Sequence, residues 1–184
     1  MSDELRRAVF LDRDGVLVEA RVLNGMPYSP RSAEEMEIAP GTRDALAQLK
    51  QQGFLLVVVT NQPEMARGTL ETAALDQMHQ RLRCELPLDE ILVCPHDDRD
   101  ECACRKPKPG LLLEAARRHG IDLGRSFFVG DRWRDVDAGH AAGCTTVLID
   151  HGYAERPPAA PPHARVRSLA EAVRWIVEQA GKGV

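Results

Sequence analysis

Two aspartates separated by one residue, Asp12 and Asp14, follow directly on a short apolar run at residues 8–11. Carboxylates spaced in this way can divide the work of a displacement reaction. One can attack an electrophilic centre such as phosphorus, and the other can protonate the leaving group and later deprotonate a water molecule. Taken alone, the pattern is also compatible with a turn or a helix cap after a strand.

Three further groups of polar residues follow apolar runs later in the chain. They are Thr60, Asn61 and Gln62 after residues 54–59, Arg105 and Lys106 after residues 91–93, and Asp131, Arg132 and Asp135 after residues 127–129. In an open parallel sheet, ligands bind beyond the carboxyl ends of the strands. If the runs are parallel strands, the four groups meet at one edge of the sheet, a coincidence that turns and caps alone do not explain.

The combined set contains several carboxylates, a lysine and a threonine. Carboxylates crowded at one point stay ionised only when a cation lies among them. Oxygen ligands without histidine favour Mg²⁺. The cation and Lys106 can neutralise the oxygens of a phosphoryl group, while Thr60 and backbone N–H groups hold one of them. These residues therefore predict Mg²⁺-dependent chemistry on a phosphoryl group.

The apolar runs also indicate the fold. They are continuous rather than alternating, as is typical of strands buried on both faces of a parallel sheet. The five runs are residues 8–11, 54–59, 91–93, 127–129 and 146–149. Helices are predicted over residues 42–52, 70–82, 111–119 and 136–142, and a last one after the capping pattern that opens with Ser168. This alternation predicts an α/β fold, a three-layer sandwich around a central, mostly parallel sheet.

Two segments interrupt the alternation within what we predict to be a single domain over residues 1–184. Residues 16–40 contain Pro27, Pro30 and Pro40 and are predicted to form a loop over one sheet edge, which we call the flap. Residues 153–163 are rich in proline and are predicted to be a surface connection. No insertion is large enough to form a cap domain, so we expect an open site suited to small substrates.

Bulk composition narrows the class of function. The net charge of −4 gives no support for a nucleic-acid partner. The longest apolar stretch, residues 54–59, is too short to cross a bilayer, and the polar residues 1–7 do not resemble a signal peptide. We therefore expect a cytoplasmic monomer whose partner is a small phosphorylated molecule rather than a nucleic acid or a membrane.

Four potential metal ligands lie just before Arg105. They are Cys94, His96, Cys102 and Cys104, in a CxH…CxC pattern within a loop at about residues 94–104 that we call the zinc loop. Two short chelating pairs can close around a tetrahedral zinc ion and leave no open position, so the predicted site is structural. The alternative is ordinary cysteines near a turn, with His96 exposed. The remaining cysteines, Cys84 and Cys144, lack such a pattern and are expected to be buried thiols.

The four polar groups resemble the four motifs of the haloacid dehalogenase superfamily. The matching segments are FLDRDGVL at residues 10–17, VVTNQ at residues 58–62, RKP at residues 105–107 and VGDRWRD at residues 129–135. The resemblance covers nearly the whole chain. It implies a Rossmann-like fold, Mg²⁺ as a cofactor, and hydrolysis of a phosphate monoester through a phosphoaspartyl intermediate.

The same resemblance implies a role for each motif. The implied catalytic residues are Asp12 as nucleophile, Asp14 as general acid and base, and Thr60 and Lys106 as ligands of the phosphoryl group. The implied Mg²⁺ ligands are the Asp12 carboxylate, the Asp14 backbone carbonyl and the Asp131 carboxylate, with Asp135 supporting the metal's water shell or orienting Lys106. The residues expected to contact the substrate are Asn61, Gln62, Arg105 and Arg132.

The cysteine cluster narrows the resemblance to a zinc-loop subgroup of these phosphatases, which includes enzymes acting on a heptose bisphosphate and on histidinol phosphate. Residues 28–41 resemble the substrate-covering segment of the heptose enzymes, which implies that Arg105 helps to recognise the second phosphate or the hydroxyls of the sugar. The short interval between His96 and Cys102 is more similar to the histidinol enzymes. Arg132 stands where the heptose enzymes usually carry lysine. A heptose bisphosphate is the leading interpretation, and histidinol phosphate is the alternative.

Two interpretations from other classes remain open at this point. A receiver-like regulatory domain also has clustered aspartates, a threonine and a lysine on a doubly wound sheet, and it stores a phosphoryl group on aspartate. Asp14 argues against this class, because an acid and base beside the nucleophile promotes turnover. A zinc-stabilised binding module without catalysis would leave Asp12, Lys106 and Asp131 unexplained.

Overall fold

The computed structural model describes residues 5–182, in which six parallel strands form one sheet. The strands are β1 (Ala8–Leu11), β4 (Leu55–Asn61), β5 (Glu90–Cys94), β6 (Phe127–Gly130), β7 (Thr145–Ile149) and β8 (Ala164–Val166). Their spatial order is β5-β4-β1-β6-β7-β8. A separate two-stranded hairpin, β2 (Arg21–Leu23) and β3 (Met26–Tyr28), lies within the flap.

Side chains of the central strands alternate between two apolar cores. In β1, Val9 and Leu11 enter one core, whereas Ala8 and Phe10 enter the other. All four residues are fully buried. Because successive side chains of a strand point to opposite faces, a run without polar residues is what a sheet covered on both faces requires.

Five helices cover the two faces of the sheet. They are α1 (Thr42–Gln51), α2 (Thr72–Glu85), α3 (Gly110–His119), α4 (Trp133–Ala142) and α5 (Leu169–Gly181). Apolar residues of α1, α2 and α5 belong to the core on one face, and those of α3 and α4 belong to the core on the other. The predicted α/β three-layer sandwich is thereby confirmed.

The predicted elements agree with the structure at most positions and differ at a few. The cap of α5 is confirmed, since Ser168 Oγ accepts a hydrogen bond of 3.2 Å from the backbone N–H of Glu171. Helix α4 begins at Trp133, three residues before the prediction. The hairpin and β8 are not among the predicted strands, because three-residue strands carry too little periodicity to be recognised.

Strands are added to the sheet in both directions from β1, which pairs with β4 on one side and with β6 on the other. In a doubly wound sheet, such a switch point opens a crevice beyond the carboxyl ends of the strands. Asp12 follows β1 and Asp131 follows β6, so both lie at this crevice. Among residues 5–182, no helix combines the length and apolar character needed to cross a membrane. The predicted polar terminus at residues 1–7 lies largely outside the described residues.

Candidate active site

A pocket opens at the switch point. Of the residues predicted from the sequence, its lining contains Asp12, Asp14, Thr60, Asn61, Lys106, Asp131, Arg132 and Asp135. The flap adds Pro27, Tyr28 and Ser29 from one side, and α4 adds Arg134. The sheet thus brings together side chains that are up to 123 positions apart in the chain, from residue 12 to residue 135.

Lys106 lies at the centre of the charged groups. Its Nζ is 2.9 Å from Asp12 Oδ1 and 2.6 Å from Asp135 Oδ1, and it donates a third hydrogen bond of 2.9 Å to the carbonyl of Val59. Only 2 % of the lysine side chain is exposed. Burial opposes its charge, but Asp12 and Asp135 raise the pKa of Lys106 above its usual range. The lysine therefore keeps its proton and offers a positive charge inside the pocket.

Asp135 connects Lys106 to the start of α4. Its Oδ2 accepts hydrogen bonds from the backbone N–H groups of Asp131 at 3.2 Å and Arg132 at 3.0 Å. A side chain on Gly130 would overlap Asp135, so glycine is needed for this close approach. Because its two oxygens already have partners, Asp135 is placed to orient Lys106 and the helix end rather than to bind a metal directly.

Asp131 has one satisfied and one free oxygen. Oδ2 accepts a hydrogen bond of 2.8 Å from the hydroxyl of Tyr153, whereas Oδ1 is buried and has no hydrogen-bond partner among residues 5–182. One oxygen from each of Asp12, Asp131 and Asp135 lies within 4.8 Å of the others. Burial raises the pKa of Asp131 well above its ordinary value, and the neighbouring Asp12 raises it further.

The same cause acts on Asp12. Burial, together with Asp135 and Asp14, raises its pKa to about 7, although Lys106 opposes the shift. A cation among these oxygens would remove the repulsion and satisfy the free oxygen of Asp131. Buried carboxylates at this spacing, with one oxygen unsatisfied, fit a hard divalent ion that takes oxygen ligands.

Asp14 is held by residues on three elements. Arg13 pairs with both of its oxygens, Ser29 of the flap donates to Oδ2 at 2.8 Å, and Gln62 Nε2 donates to Oδ2 at 3.1 Å. Burial opposes the ionised form, but the charge of Arg13 and these hydrogen bonds lower the pKa of Asp14 below its ordinary value. The carboxylate is therefore ionised in this conformation.

The three residues at the end of β4 contact different groups. Thr60 lines the pocket, and its Oγ1 accepts a hydrogen bond of 2.9 Å from Gln62 Nε2. Asn61 also lines the pocket and clamps the backbone of Lys106 with two hydrogen bonds of 3.1 Å. Gln62 is fully buried and lies outside the pocket lining. The turn after β4 directs its amide towards Asp14 and Thr60, and the predicted contact of Gln62 with the substrate stays a prediction.

The predicted contacts of Arg105 and Arg132 with the substrate stay predictions, and the structure places the two arginines differently. Arg105 lies outside the pocket lining, because its guanidinium pairs with Asp98 at 2.8 Å and donates to the carbonyl of His96 at 3.2 Å. Arg134, for which the sequence suggests no role, lines the pocket instead. Its Nη1 donates to Asp98 at 3.0 Å and to the carbonyl of Lys106 at 3.3 Å. Arg132 lines the pocket as predicted.

Residues 151–155, which we call the strap, contact several parts of the site. His151 Nε2 donates to the carbonyl of Gly15 at 2.8 Å, and the N–H of Ala154 donates to the carbonyl of Gly25 in the flap at 3.0 Å. Glu155 accepts a hydrogen bond of 3.0 Å from Arg132 Nε. The sequence prediction of a surface connection beginning at Tyr153 missed these contacts, because neither periodicity nor a motif marks them.

The four predicted ligands of the zinc loop lie together. Cys94 Sγ lies 3.6 Å from His96 Nδ1, 3.6 Å from Cys102 Sγ and 3.3 Å from Cys104 Sγ. His96 Nδ1 lies 3.3 Å from Cys104 Sγ. A tetrahedral zinc ion with Zn–S bonds of about 2.3 Å requires sulfur–sulfur edges of roughly 3.8 Å. The cluster therefore has the composition and nearly the dimensions of a closed zinc site, and half-buried His96 is directed into it.

The remaining cysteines differ from each other. Cys144 is buried, as expected, and burial raises the pKa of its thiol to about 12. Cys84 is exposed, so the expectation that it is buried is wrong. It lies near the end of α2, whose buried face is formed by Leu75, Met78 and Leu82, and the helical repeat turns position 84 away from that face.

Comparisons with known proteins agree with this geometry. Residues 103–172 match the HAD-hydrolase-like family model. A D-glycero-beta-D-manno-heptose-1,7-bisphosphate 7-phosphatase of Pseudomonas aeruginosa is 39% identical over 153 residues, which are 80% of this chain and 83% of the relative. The enzyme of the same name from Escherichia coli K12 is 38% identical over 165 residues, covering 83% of each chain.

A solved structure is similar over nearly its whole length. It is the D,D-heptose 1,7-bisphosphate phosphatase of B. bronchiseptica complexed with magnesium and phosphate, which is 33% identical and superposes with a TM-score of 0.80 over 94% of this chain and 99% of that chain. The similarity of sequence and fold to these phosphatases excludes the receiver-like and the non-catalytic interpretations. This chain belongs to the haloacid dehalogenase-like hydrolases and is a phosphatase.

Proposed function

We propose that this phosphatase removes the 7-phosphate of D-glycero-D-manno-heptose 1,7-bisphosphate in a Mg²⁺-dependent reaction. The substrate is supported by the relatives that carry this activity in their names. The reaction type is supported most directly by one observation: buried Lys106 lies within 2.9 Å of Asp12 at the switch point, beside the free oxygen of Asp131.

In the first half-reaction, Asp12 acts as the nucleophile. Asp14, which is ionised in this structure, must take up a proton before this step. A carboxylate oxygen of Asp12 then attacks phosphorus, the bond between phosphorus and the ester oxygen breaks, and Asp14 gives that proton to the departing alkoxide. Lys106 and the hydroxyl of Thr60 hold oxygens of the phosphoryl group. The products are a phosphoaspartyl group on Asp12 and a heptose 1-phosphate with a free hydroxyl at C7.

In the second half-reaction, Asp14 acts as a base. Its carboxylate takes a proton from a water molecule, the water oxygen attacks phosphorus, and the acyl phosphate bond to Asp12 breaks. The contacts from Arg13, Ser29 and Gln62 suit this step, because they keep Asp14 ionised. The proton that Asp14 lost in the first half-reaction is thus recovered in the second.

The carboxylates of Asp12 and Asp131 and the backbone carbonyl of Asp14 would hold Mg²⁺. When bound, the ion would neutralise negative charge shared between the carboxylates and the phosphoryl oxygens. Asp135 would act through Lys106 and the end of α4, as its hydrogen bonds indicate. Asn61 fixes the backbone of Lys106, so its contribution to substrate binding would be indirect as well as direct.

The zinc loop would hold a structural Zn²⁺. Its four ligands leave no position for a substrate or a reactive water. Cys104 precedes Arg105 and Lys106 directly, so closing the cluster fixes the chain that carries Lys106 into the pocket. We assign this site to stability and to the placement of Lys106, not to catalysis.

Arg132 and Arg134 would contact the part of the substrate beyond the reacting phosphate. Both line the pocket, and both guanidinium groups can pair with a second phosphate in a two-pronged manner. This assignment rests on their place in the pocket lining, from which Arg105 is absent. All three guanidinium groups also pair with a carboxylate: Arg105 and Arg134 with Asp98, and Arg132 with Glu155.

The experiment is a phosphatase screen that compares kcat/KM for both anomers of the heptose 1,7-bisphosphate, histidinol phosphate and several sugar monophosphates, with and without Mg²⁺. The proposal requires a heptose bisphosphate to have the highest value and activity to vanish with Mg²⁺ removal or in Asp12→Asn. A preference for histidinol phosphate would transfer the assignment to that substrate. Turnover that survives in Asp12→Asn would refute the mechanism.

A further inference from the structure

We infer that Tyr153 is a positioning residue of the metal site, which fixes the Asp131 carboxylate so that one oxygen is occupied by the tyrosine hydroxyl and the other is left for Mg²⁺. The inference rests on the proposed magnesium site. It concerns a residue that lies outside all four sequence motifs, 22 positions after Asp131.

The two oxygens of Asp131 differ in their environment. The hydroxyl of Tyr153 donates to Oδ2 over 2.8 Å, and Oδ1 is buried with no hydrogen-bond partner in the part of the chain that the structure describes. A buried carboxylate oxygen without a partner is costly in free energy. The arrangement therefore favours a single metal bond through Oδ1 over a symmetrical, two-oxygen contact.

Gly15 makes room for this contact. Its φ of +83° is a conformation that glycine adopts readily, and a Cβ at this position would overlap Asp131 Oδ2 and lie 3.1 Å from the hydroxyl oxygen of Tyr153. The loop that carries the nucleophile therefore accommodates the Asp131 carboxylate, with the tyrosine hydroxyl beside it, only because residue 15 has no side chain.

The strap is attached on both sides of Tyr153. His151 donates to the carbonyl of Gly15, Ala154 donates to the carbonyl of Gly25, and Glu155 pairs with Arg132. Tyr153 itself is half-buried. These contacts hold the Tyr153 hydroxyl against Asp131 and explain how a residue in an irregular segment after β7 can orient a carboxylate at the end of the neighbouring strand β6.

The test is the affinity of Tyr153→Phe for Mg²⁺, measured by isothermal titration calorimetry without substrate. Loss of an outer partner of a metal ligand typically weakens binding about 10- to 100-fold. We expect an increase of this size in the Kd for Mg²⁺, with little change in the melting temperature in EDTA, because the phenylalanine ring keeps the packing of the tyrosine. Ser168→Ala is the control, since it removes a hydroxyl that caps α5 and lies outside the pocket lining, and it should leave the Kd unchanged.

A second measurement does not depend on the folding of Tyr153→Phe. In Tyr28→Phe labelled with 3-fluorotyrosine, Tyr153 gives the only ¹⁹F signal, and saturating Mg²⁺ should shift it. An unshifted signal, or an equal Kd for Mg²⁺ in Tyr153→Phe and the wild type, would overturn the inference. If the wild type itself binds no Mg²⁺, the proposed metal site fails instead, so the two failures are distinguishable.

Discussion

Arg13 holds Asp14 in a two-pronged ion pair, in which Nε lies 2.9 Å from Oδ1 and Nη2 lies 2.9 Å from Oδ2. The arginine side chain is completely buried, whereas 19 % of the Asp14 side chain is exposed. The pair orients the proposed acid and base and keeps it ionised. The protonated form of Asp14 that begins the cycle must therefore have a weakened charge-assisted contact with Arg13, and the contact is restored when the proton passes to the alkoxide in the first half-reaction.

Replacing Asp14 by asparagine should trap the covalent intermediate. Asparagine keeps a carbonyl oxygen that can accept from Arg13, but it can neither protonate the alkoxide nor deprotonate water. We expect kcat to fall by about 10²- to 10⁴-fold, the usual contribution of a general acid or base. Intact-protein mass spectrometry after mixing with substrate should reveal a species heavier by one phosphoryl group.

The double variant Asp12→Asn, Asp14→Asn is the control, because it lacks the proposed nucleophile. It should show no added mass under the same conditions. An unchanged kcat in Asp14→Asn would remove Asp14 from the mechanism, and added mass in the double variant would place the phosphoryl group on another residue.

His79 should make the stability of the protein depend on pH. It is buried, and its Nε2 lies 3.3 Å from Nη1 of Arg13. Burial and the charge of Arg13 lower the pKa of His79 from 6.5 to about 4. Above pH 6.5 the histidine is neutral in both states, and its contribution to the free energy of unfolding is complete. As pH falls from 6.5 to about 4, only the unfolded chain takes up the proton, so up to roughly 3 kcal/mol is lost.

The corresponding measurement is urea denaturation of the wild type and His79→Gln between pH 7.5 and pH 4. Glutamine retains an acceptor for Arg13 but does not titrate, so its free energy of unfolding should decrease less steeply over this interval. His119→Gln, a change at a half-exposed position, keeps His79 and should keep the steep decrease. Parallel curves for wild type and His79→Gln would contradict the explanation.

The sheet could be predicted from the sequence because its central strands are continuous apolar runs, and Val9 and Phe10 belong to opposite cores. Edge strand β8 could not, since it has three residues and no such run. The strands of the flap hairpin could not be predicted either, although Gly25 indicates a turn. These strands expose Val22 and Leu23 to solvent, so their apolar residues do not follow the pattern of a buried face.

The site, like the fold, could be predicted in part. The ends of parallel strands converge by geometry, which is why Asp12, Lys106 and Asp131 meet as expected. The direction of a side chain within a turn is not determined by spacing, so the buried position of Gln62 was not predictable. The contact of Tyr153 with Asp131 was not predicted, because the position of Tyr153 depends on contacts of the strap. Such contacts produce no periodic pattern in the sequence.

The zinc loop should contribute to stability. Removing zinc with a chelator, or replacing Cys102 by serine, should lower the melting temperature, because binding free energy of a structural metal is folding free energy. If bound zinc adds about 2 kcal/mol to the free energy of unfolding, its loss should lower the melting temperature by roughly 4–8 °C in a domain of this size. Cys84→Ser is the matched control, since Cys84 is exposed and lies outside the cluster. An unchanged melting temperature after zinc loss is verified by elemental analysis would contradict the structural role.

Lys106→Met should reveal how strongly the site depends on its internal cation. Methionine fills the space but leaves the buried carboxylates of Asp12 and Asp135 without their shared partner. Removing one partner of a buried ion pair typically costs about 3–5 kcal/mol, so we expect a loss of this order at neutral pH together with loss of turnover. The loss should shrink as pH falls, because protonation removes the uncompensated charge of Asp12, and it should shrink in Mg²⁺. Lys108→Met is the matched control: within residues 5–182 its Nζ donates only to the carbonyls of Glu101 and Cys102, and two such exposed contacts contribute far less to stability. Equal destabilisation of the two variants in urea would mean that Lys106 is not the charge on which Asp12 depends.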